Sequence, residues 1–110
     1  MIIGRKELVF YETAHGKFPF EIWLEGLKDR KARAIIRTRL DRLERGNAGK
    51  GSPVGLGVFE LKIHYGPGYR AYFGQDGVTL VVLLCGGDKS TQKQDILKAK
   101  EYWADYQVRK

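Results

Sequence analysis

The clearest pattern in the first half of the chain is an apolar residue at every third or fourth position after Asp29. Apolar residues at this spacing lie on one face of an α-helix. Asp29 suits the N-cap and Gly46 the position after the helix, because helix starts favour short acceptor side chains and helix ends favour positive φ. We therefore predict a helix between Asp29 and Gly46, and its apolar face consists of Ala32, Ile35, Ile36, Leu40 and Leu43.

Two shorter segments precede this helix. Residues 8–13 are rich in β-branched and aromatic side chains, which favours a strand. Pro19 is typical of the first turn of a helix, and the apolar spacing continues from there. We expect a strand and then a short helix that buries Phe20, Trp23, Leu24 and Leu27.

Residues 46–57 separate these helices from the second half of the chain. The segment combines Gly, Asn, Ser and Pro53 with few side chains that could anchor it. This composition is typical of a loop. We expect the loop to divide a helical half from a sheet half.

Three closely spaced strand patterns follow, at residues 58–64, 69–73 and 78–85. They are joined by Gly66-Pro67-Gly68 and Gln75-Asp76-Gly77, and Pro-Gly and Asp-Gly are typical of hairpin turns. The third run is nearly all apolar, which indicates a strand covered on both faces, and Gly86-Gly87 is expected to end it. These residues predict an antiparallel meander.

The last segment has the pattern of a helix. Thr91 and Gln94, three residues apart, resemble a capping box. Ile96, Ala99, Trp103 and Tyr106 then lie on one helical face. Because 110 residues suffice for one hydrophobic core, we expect a single domain over residues 1–110. The predicted fold class is α+β, a small antiparallel β-sheet with two N-terminal helices and a C-terminal helix.

Charge adds a class of partner to this picture. Twenty Lys and Arg against thirteen Asp and Glu give a formal net charge of +7, which favours polyanionic partners through counterion release. Charge alone does not separate RNA, DNA and the ribosome. The long predicted helix concentrates cations, and two interpretations of it stay open. It is a solvated face with Arg37–Asp41 and Asp41–Arg45 pairs, or a binding surface for phosphate or an acidic protein.

The apolar residues are too dispersed to cross a bilayer, which takes a run of roughly 18. Residues 1–10 carry Arg5, Lys6 and Glu7 and lack the apolar core of a signal peptide, so we expect a cytoplasmic protein with no membrane partner. Cys85 is the only cysteine and lies in the most apolar stretch. We expect a buried structural thiol rather than a nucleophile.

Alternation along the predicted strands places several cations together. In one strand Phe59, Leu61 and Ile63 face one way and Glu60, Lys62 and His64 the other. In the next strand Arg70 and Tyr72 alternate with Tyr69, Ala71 and Phe73. Lys62, His64 and Arg70 can thus share one surface face, to which Lys89 adds a cation. Such cations among rings that stack on bases are typical of single-stranded RNA recognition, whereas the simpler interpretation is a solvated sheet face.

RNA is cleaved without metal when its own 2′-hydroxyl attacks the adjacent phosphate. The reaction needs a base, an acid and cations for the developing charge, and Lys62, His64, Arg70 and Lys89 are the candidates. A lone strand histidine is more often a surface residue, so His64 ranks below Arg70 and Lys89. Neither paired His and Cys spacing nor clustered carboxylates occur, so we expect metal-independent cleavage without a cofactor.

Three segments together resemble a known family: FEIWLEGLKD at 20–29, ELKI at 60–63 with GPGYRAYF at 66–73, and LCGGDKSTQ at 84–92. The sequence is similar to the RelE/ParE superfamily of bacterial toxins, in particular the phage-derived or addiction-module killer proteins, which are HigB-like. The resemblance covers nearly the whole chain. It implies a RelE-like fold and a ribosome-dependent endoribonuclease that enters the A site and cuts translated mRNA. It also implies a helix-turn-helix antitoxin as partner, with DNA bound only through the antitoxin complex.

The resemblance also assigns roles. Arg70 matches the sheet arginine that stabilises the transition-state phosphate, and Lys62 matches a basic position for substrate binding or proton transfer. Lys89 lies where the family places a cation or histidine near the scissile phosphate. Asp95 lies near a position where some members carry a catalytic Tyr or His, which is a departure. His64, Tyr69, Tyr72 and Asp95 are thus RNA-binding or supporting candidates.

Three rival interpretations stay open. A ParE-like protein would poison DNA gyrase, although the retained Lys62, Arg70 and Lys89 argue against it. A basic RNA-binding module would hold phosphate without cleaving RNA. A protein-interaction domain would use its Arg-rich helix to bind an acidic partner.

Overall fold

The chain forms a five-stranded β-sheet with helices on both faces, in a computed structural model that describes residues 5–46 and 51–110. Part of the predicted 46–57 loop, residues 47–50, lies outside the described residues, as do residues 1–4. The elements in chain order are β1 (Glu7–Phe10), α1 (Pro19–Gly26), α2 (Arg30–Glu44), β2 (Ser52–Gly55), β3 (Val58–Ile63), β4 (Tyr69–Asp76), β5 (Leu80–Gly87), a 3₁₀ turn (Lys89–Thr91) and α3 (Gln92–Arg109).

The strands lie in the order β1-β5-β4-β3-β2. The α+β class and the antiparallel meander β3-β4-β5 are confirmed. The sheet is mixed, however, because β1 pairs with β5 in parallel, with Glu7 opposite Leu80 and Phe10 opposite Leu83. The prediction of a purely antiparallel sheet was therefore wrong. Parallel strands need a long crossover, and the segment from α1 to β4 supplies one here.

The segment predicted as a loop contains a strand. β2 pairs antiparallel with β3, with Ser52 opposite Glu60 and Pro53 opposite Phe59. The turn between β2 and β3 runs through left-handed backbone at Leu56 and Gly57, with φ of 54° and 84°. An edge strand is held mainly by backbone hydrogen bonds, so its side-chain composition gave little indication of it.

The predicted start of α2 is confirmed. The Asp29 carboxylate accepts a hydrogen bond from Ala32 N at 3.1 Å. The helix ends at Glu44, and Gly46 follows with a φ of 78°. Gly46 thus has the left-handed conformation expected after a helix end.

The central strand lies two residues further along the chain than the predicted 78–85. β5 begins at Leu80 and continues through Gly86 and Gly87, so the expectation that these glycines end it was wrong. Neighbouring side chains explain why glycine is required at both positions. A Cβ at Gly86 would lie 2.2 Å from Trp23, and a Cβ at Gly87 would lie 1.8 Å from Asp95 Oδ2.

Each face of the sheet has its own core. One core joins α1 and α2 to the sheet through Phe20, Leu24, Ala32, Ile36, Leu40, Leu43, Leu61, Ile63, Tyr69, Ala71, Phe73, Val81 and Leu83. The other core lies under α3 and contains Tyr11, Val58, Tyr72, Val82, Leu84, Cys85, Ala99 and Trp103. Since β5 contributes alternate residues to both cores, its predicted double coverage is confirmed.

The start of α3 differs from the predicted capping box. Asp88 caps the 3₁₀ turn and accepts from Ser90 N at 2.8 Å. The Thr91 hydroxyl instead donates to Asp95. The predicted apolar face is confirmed, since Ala99 and Trp103 are buried with Ile96 and Tyr106 beside them. Within the described residues, no helix is long and apolar enough to span a membrane.

Candidate functional site

Three positions lie in one row across the sheet. Lys62 of β3 is opposite Arg70 of β4, and Arg70 is opposite Gly87 of β5. Side chains at directly paired positions lie on the same face, so Lys62 and Arg70 are neighbours as predicted. Lys62 is exposed. The row lies where β3 and β5 end and β4 begins.

Arg70 is buried, with 8% of its surface exposed. The expectation of a surface arginine was therefore wrong, because α3 and the adjoining turn cover this part of the sheet. Its Nη1 donates to Gly68 O at 2.6 Å. Its Nε lies 3.5 Å from Glu60 Oε2 in a buried ion pair, but the Nε–H makes no hydrogen bond.

Lys89 lies next to Arg70 across Gly68. A Cβ at Gly68 would lie 3.2 Å from Arg70 Nη1 and 3.6 Å from Lys89 Cβ. Gly68 has a φ of 80°, which also favours glycine. Lys89 itself is exposed at the start of the 3₁₀ turn. The buried Arg70 guanidinium and the base of the exposed Lys89 side chain thus lie on either side of Gly68.

Two carboxylates border these cations. Hydrogen bonds from Ser90 and, to a smaller extent, the charge of Arg70 lower the pKa of Asp88 below its usual value of 3.8. The Asp95 carboxylate accepts from Thr91 and lies against Gly87. Asp95 therefore seats the first turn of α3 on the end of β5. This contact is structural, and the predicted role of Asp95 in supporting RNA binding stays a prediction.

The predicted stacking residues are buried. Tyr72 is fully buried, and its hydroxyl donates to Glu60 Oε2 at 3.2 Å; burial raises its pKa. Tyr69 lies in the core beneath α1, with its ring centroid 6.1 Å from that of Trp23. Neither ring is exposed to stack on a base, so that expectation was wrong. His64 is exposed, one residue past β3.

Glu60 is the site residue that the sequence did not single out. It is 4% exposed, and its Oε2 accepts from Tyr72 and from Gln92 Nε2 at 2.7 Å. Strand alternation placed Glu60 on the face of Lys62, and the structure puts it opposite Tyr72. No local sequence pattern indicated that α3 covers this face and buries the Glu60 carboxylate.

Cys85 is buried, which confirms its predicted environment. Burial, reinforced by Asp95, raises the pKa of the thiol to about 12. A thiol protonated over the physiological range is a poor nucleophile. Cys85 therefore has a structural role beneath α3.

The cations of α2 make contacts that differ from the predicted pairs. Arg37 pairs with Glu25 of α1 rather than with Asp41. Arg39 Nη1 donates to Lys62 O at 3.0 Å. Part of the basic face thus anchors α2 to α1 and β3. An open depression on this helix is lined by Lys31, Ala34, Ile35, Thr38, Arg39 and Arg42.

Metal-binding side chains do not gather in residues 5–46 and 51–110. There, no three His, Cys, Asp or Glu side chains are grouped so that they could hold a metal ion. The polar groups that do converge on the site are cations, hydroxyls and separate carboxylates.

No family model matches the sequence. A protein of Haemophilus influenzae (strain ATCC 51907 / DSM 11121 / KW20 / Rd), named "Uncharacterized protein", is 51% identical over 81 residues. The match covers 74% of this chain and 82% of that protein. The chain therefore belongs to the same family as this Haemophilus influenzae protein.

Proposed function

We propose that the protein is the toxin of a type II toxin–antitoxin system, a metal-independent endoribonuclease that cuts mRNA on the ribosome. The observation that carries the proposal is that Arg70 Nη1 and Lys89 Cβ both lie beside Gly68, with Lys62 opposite Arg70 in the sheet. Three cations on a rigid scaffold suit a phosphate whose charge increases during reaction. The sequence resemblance to the RelE/ParE superfamily connects this site to RNA cleavage.

The chemistry needs no group beyond the RNA and these side chains. The exposed His64, two residues after Lys62, would take the proton of the 2′-hydroxyl as the 2′ oxygen attacks phosphorus. The bond to the 5′ oxygen then breaks, and a 2′,3′-cyclic phosphate remains. Arg70 and Lys89 would neutralise the pentacoordinate phosphate. Lys62 is exposed at the open end of the row and would protonate the departing 5′ oxygen. Preorganised cations of this kind act most strongly where water is partly excluded, as it is around Arg70.

The architecture is compatible with this assignment. Two helices precede the meander and one follows it, in the order that the resemblance implies. Under the proposal the protein works in the cytoplasm, meets mRNA in the ribosomal A site, and is neutralised by a helix-turn-helix antitoxin. A net charge of +7 favours binding to ribosomal RNA as well as to mRNA.

One observation favours a second candidate, a basic module that binds RNA without cutting it. Arg70 is already paired with the buried Glu60, and an ion pair of this kind can serve the fold alone. Such a module would hold phosphate through the exposed Lys62 and Lys89. Binding and cleavage use the same cations, so an assay of cleavage separates the two functions.

The test is an mRNA cleavage assay with purified protein in a bacterial translation extract, with cuts located by primer extension. Lys89→Ala should slow cutting on the order of 100-fold, because one charged contact to the transition state is lost. Lys98→Ala is the matched control, since Lys98 is also exposed and lies further along α3. An mRNA that binds the protein but stays uncut would support the module instead.

A further inference from the structure

The buried carboxylate of Glu60 joins three elements of the site. Its Oε2 accepts from Tyr72 OH of β4 at 3.2 Å and from Gln92 Nε2 of α3 at 2.7 Å. Arg70 Nε lies 3.5 Å from the same oxygen. A buried carboxylate is costly unless it is paired and hydrogen-bonded, and these three groups provide that compensation.

The contacts of Arg70 restrict its guanidinium on two sides. Nη1 donates to Gly68 O at 2.6 Å, and Nε lies 3.5 Å from Glu60 Oε2 in an ion pair without a hydrogen bond. One hydrogen bond at Nη1 and one charge contact at Nε together restrict the orientation of the planar guanidinium. Among the described residues neither Nε nor Nη2 of Arg70 has a hydrogen-bond acceptor, but Nε is buried, so Nη2 is the nitrogen left for a ligand.

Glu60 also sets the position of α3 relative to this arginine. Gln92 is the first residue of α3 and directly follows the 3₁₀ turn that begins at Lys89. The Gln92–Glu60 hydrogen bond therefore ties the segment that carries Lys89 to the strand beside Arg70. Asp95 packs the first turn of α3 against Gly87.

We propose that Glu60 is a positioning residue that orients Arg70 and, through Gln92, holds Lys89 so that both cations meet one phosphate. This role rests on the proposed function. The negative charge of Glu60 would by itself weaken the binding of a phosphate nearby. Its presence among the cations therefore points to orientation rather than to attraction of the ligand.

Glu60 should thus weaken RNA binding but speed cleavage, and Glu60→Gln separates these two effects. The amide oxygen still accepts from Tyr72 and Gln92, but the charge that holds Arg70 is lost. Cleavage in the translation extract should slow on the order of 100-fold, the effect of a small misplacement of a catalytic group. The Kd for a short single-stranded RNA should stay unchanged or fall, because a repulsive charge is removed.

A second readout does not depend on catalysis. The ¹⁵N resonance of Arg70 Nε–H, assigned by its loss in Arg70→Lys, should shift in Glu60→Gln, and its hydrogen should exchange with water faster. Gln92→Ala keeps the Glu60 charge and should slow cleavage to a smaller extent. Gln94→Ala, an exposed glutamine in the same turn, is its matched control.

The outcomes separate the two proposals. Wild-type cleavage rates in Glu60→Gln, or weaker RNA binding with an unchanged Arg70 resonance, would overturn the positioning role. If the wild type cuts no RNA, the proposed function fails, and the Arg70 resonance alone then decides whether Glu60 orients the arginine. Thermal unfolding of each variant shows that the domain is folded, and Gln92→Ala carries the test if Glu60→Gln does not fold.

Discussion

The carboxylate of Asp95 lies directly against the backbone of Gly87, where a Cβ would stand 1.8 Å from Oδ2. A side chain at residue 87 would clash with the Asp95 carboxylate, which packs the first turn of α3 against β5. We predict that Gly87→Ala lowers the free energy of unfolding by about 1–3 kcal/mol, the usual cost of overpacking. Urea unfolding measures the loss.

A double variant tests the cause of that loss. In Gly87→Ala/Asp95→Ala the clashing carboxylate is absent, so the combined cost should be smaller than the sum of the two single costs. Strict additivity would show that the strain arises elsewhere than in the Asp95 contact.

The contact between Trp23 and Gly86 leads to a second prediction. The indole lies so close to the strand that a Cβ at Gly86 would be 2.2 Å from it. Gly86→Ala should therefore destabilise the domain by about 1–3 kcal/mol. Gly26→Ala is the matched control, because a Cβ there meets nothing within 4 Å and alanine favours the helix over glycine. Equal destabilisation by both substitutions in thermal unfolding would refute the explanation.

Removal of Arg70 should affect the fold as well as the site. Arg70→Ala leaves the Glu60 carboxylate buried without a countercharge, which typically costs about 3–5 kcal/mol. Adding Glu60→Gln to Arg70→Ala should restore part of the lost stability, because the unpaired charge is then removed. Chemical denaturation of the two single variants and the double variant measures this coupling. A double variant less stable than Arg70→Ala would contradict the buried ion pair.

The helices and the turns were predictable because their signals are local. Asp29 and Gly46 mark the ends of α2 through their own backbone requirements, and Gly77 marks the β4–β5 turn. The parallel pairing of β1 was not predictable, because its partner β5 lies about 70 residues away and no local sequence pattern indicates which strands pair.

The site was predictable only in part, for a similar reason. Alternation correctly placed Lys62 and Arg70 on one sheet face. It could not show that α3 folds back over that face, and this covering buries Arg70 and makes Glu60 its partner. Gly86 and Gly87 were taken as strand breakers for the same reason, because the side chains that require them come from α1 and α3.

Asp105, near the end of α3, should make the stability of the fold depend on pH. Hydrogen bonds from Arg109 and Tyr11 lower the pKa of Asp105 below its usual 3.8. A carboxylate with a lowered pKa stabilises the fold above its unfolded pKa and loses this contribution as the pH falls through the folded one. Asp105→Asn should therefore be less stable than the wild type near neutral pH, and the gap should close in acid. A gap that stays constant below pH 3.8 in urea unfolding would contradict this.

The most direct test of the account is induced expression in a bacterial host, with mRNA 5′ ends mapped genome-wide beside a measurement of plasmid supercoiling. The wild type and Lys98→Ala should produce new in-frame cuts in translated mRNA, while Lys89→Ala should lose them and supercoiling should stay normal. Intact mRNA with impaired supercoiling would contradict the account and indicate a gyrase poison. Intact mRNA with normal supercoiling would contradict it in favour of a non-cleaving RNA-binding module.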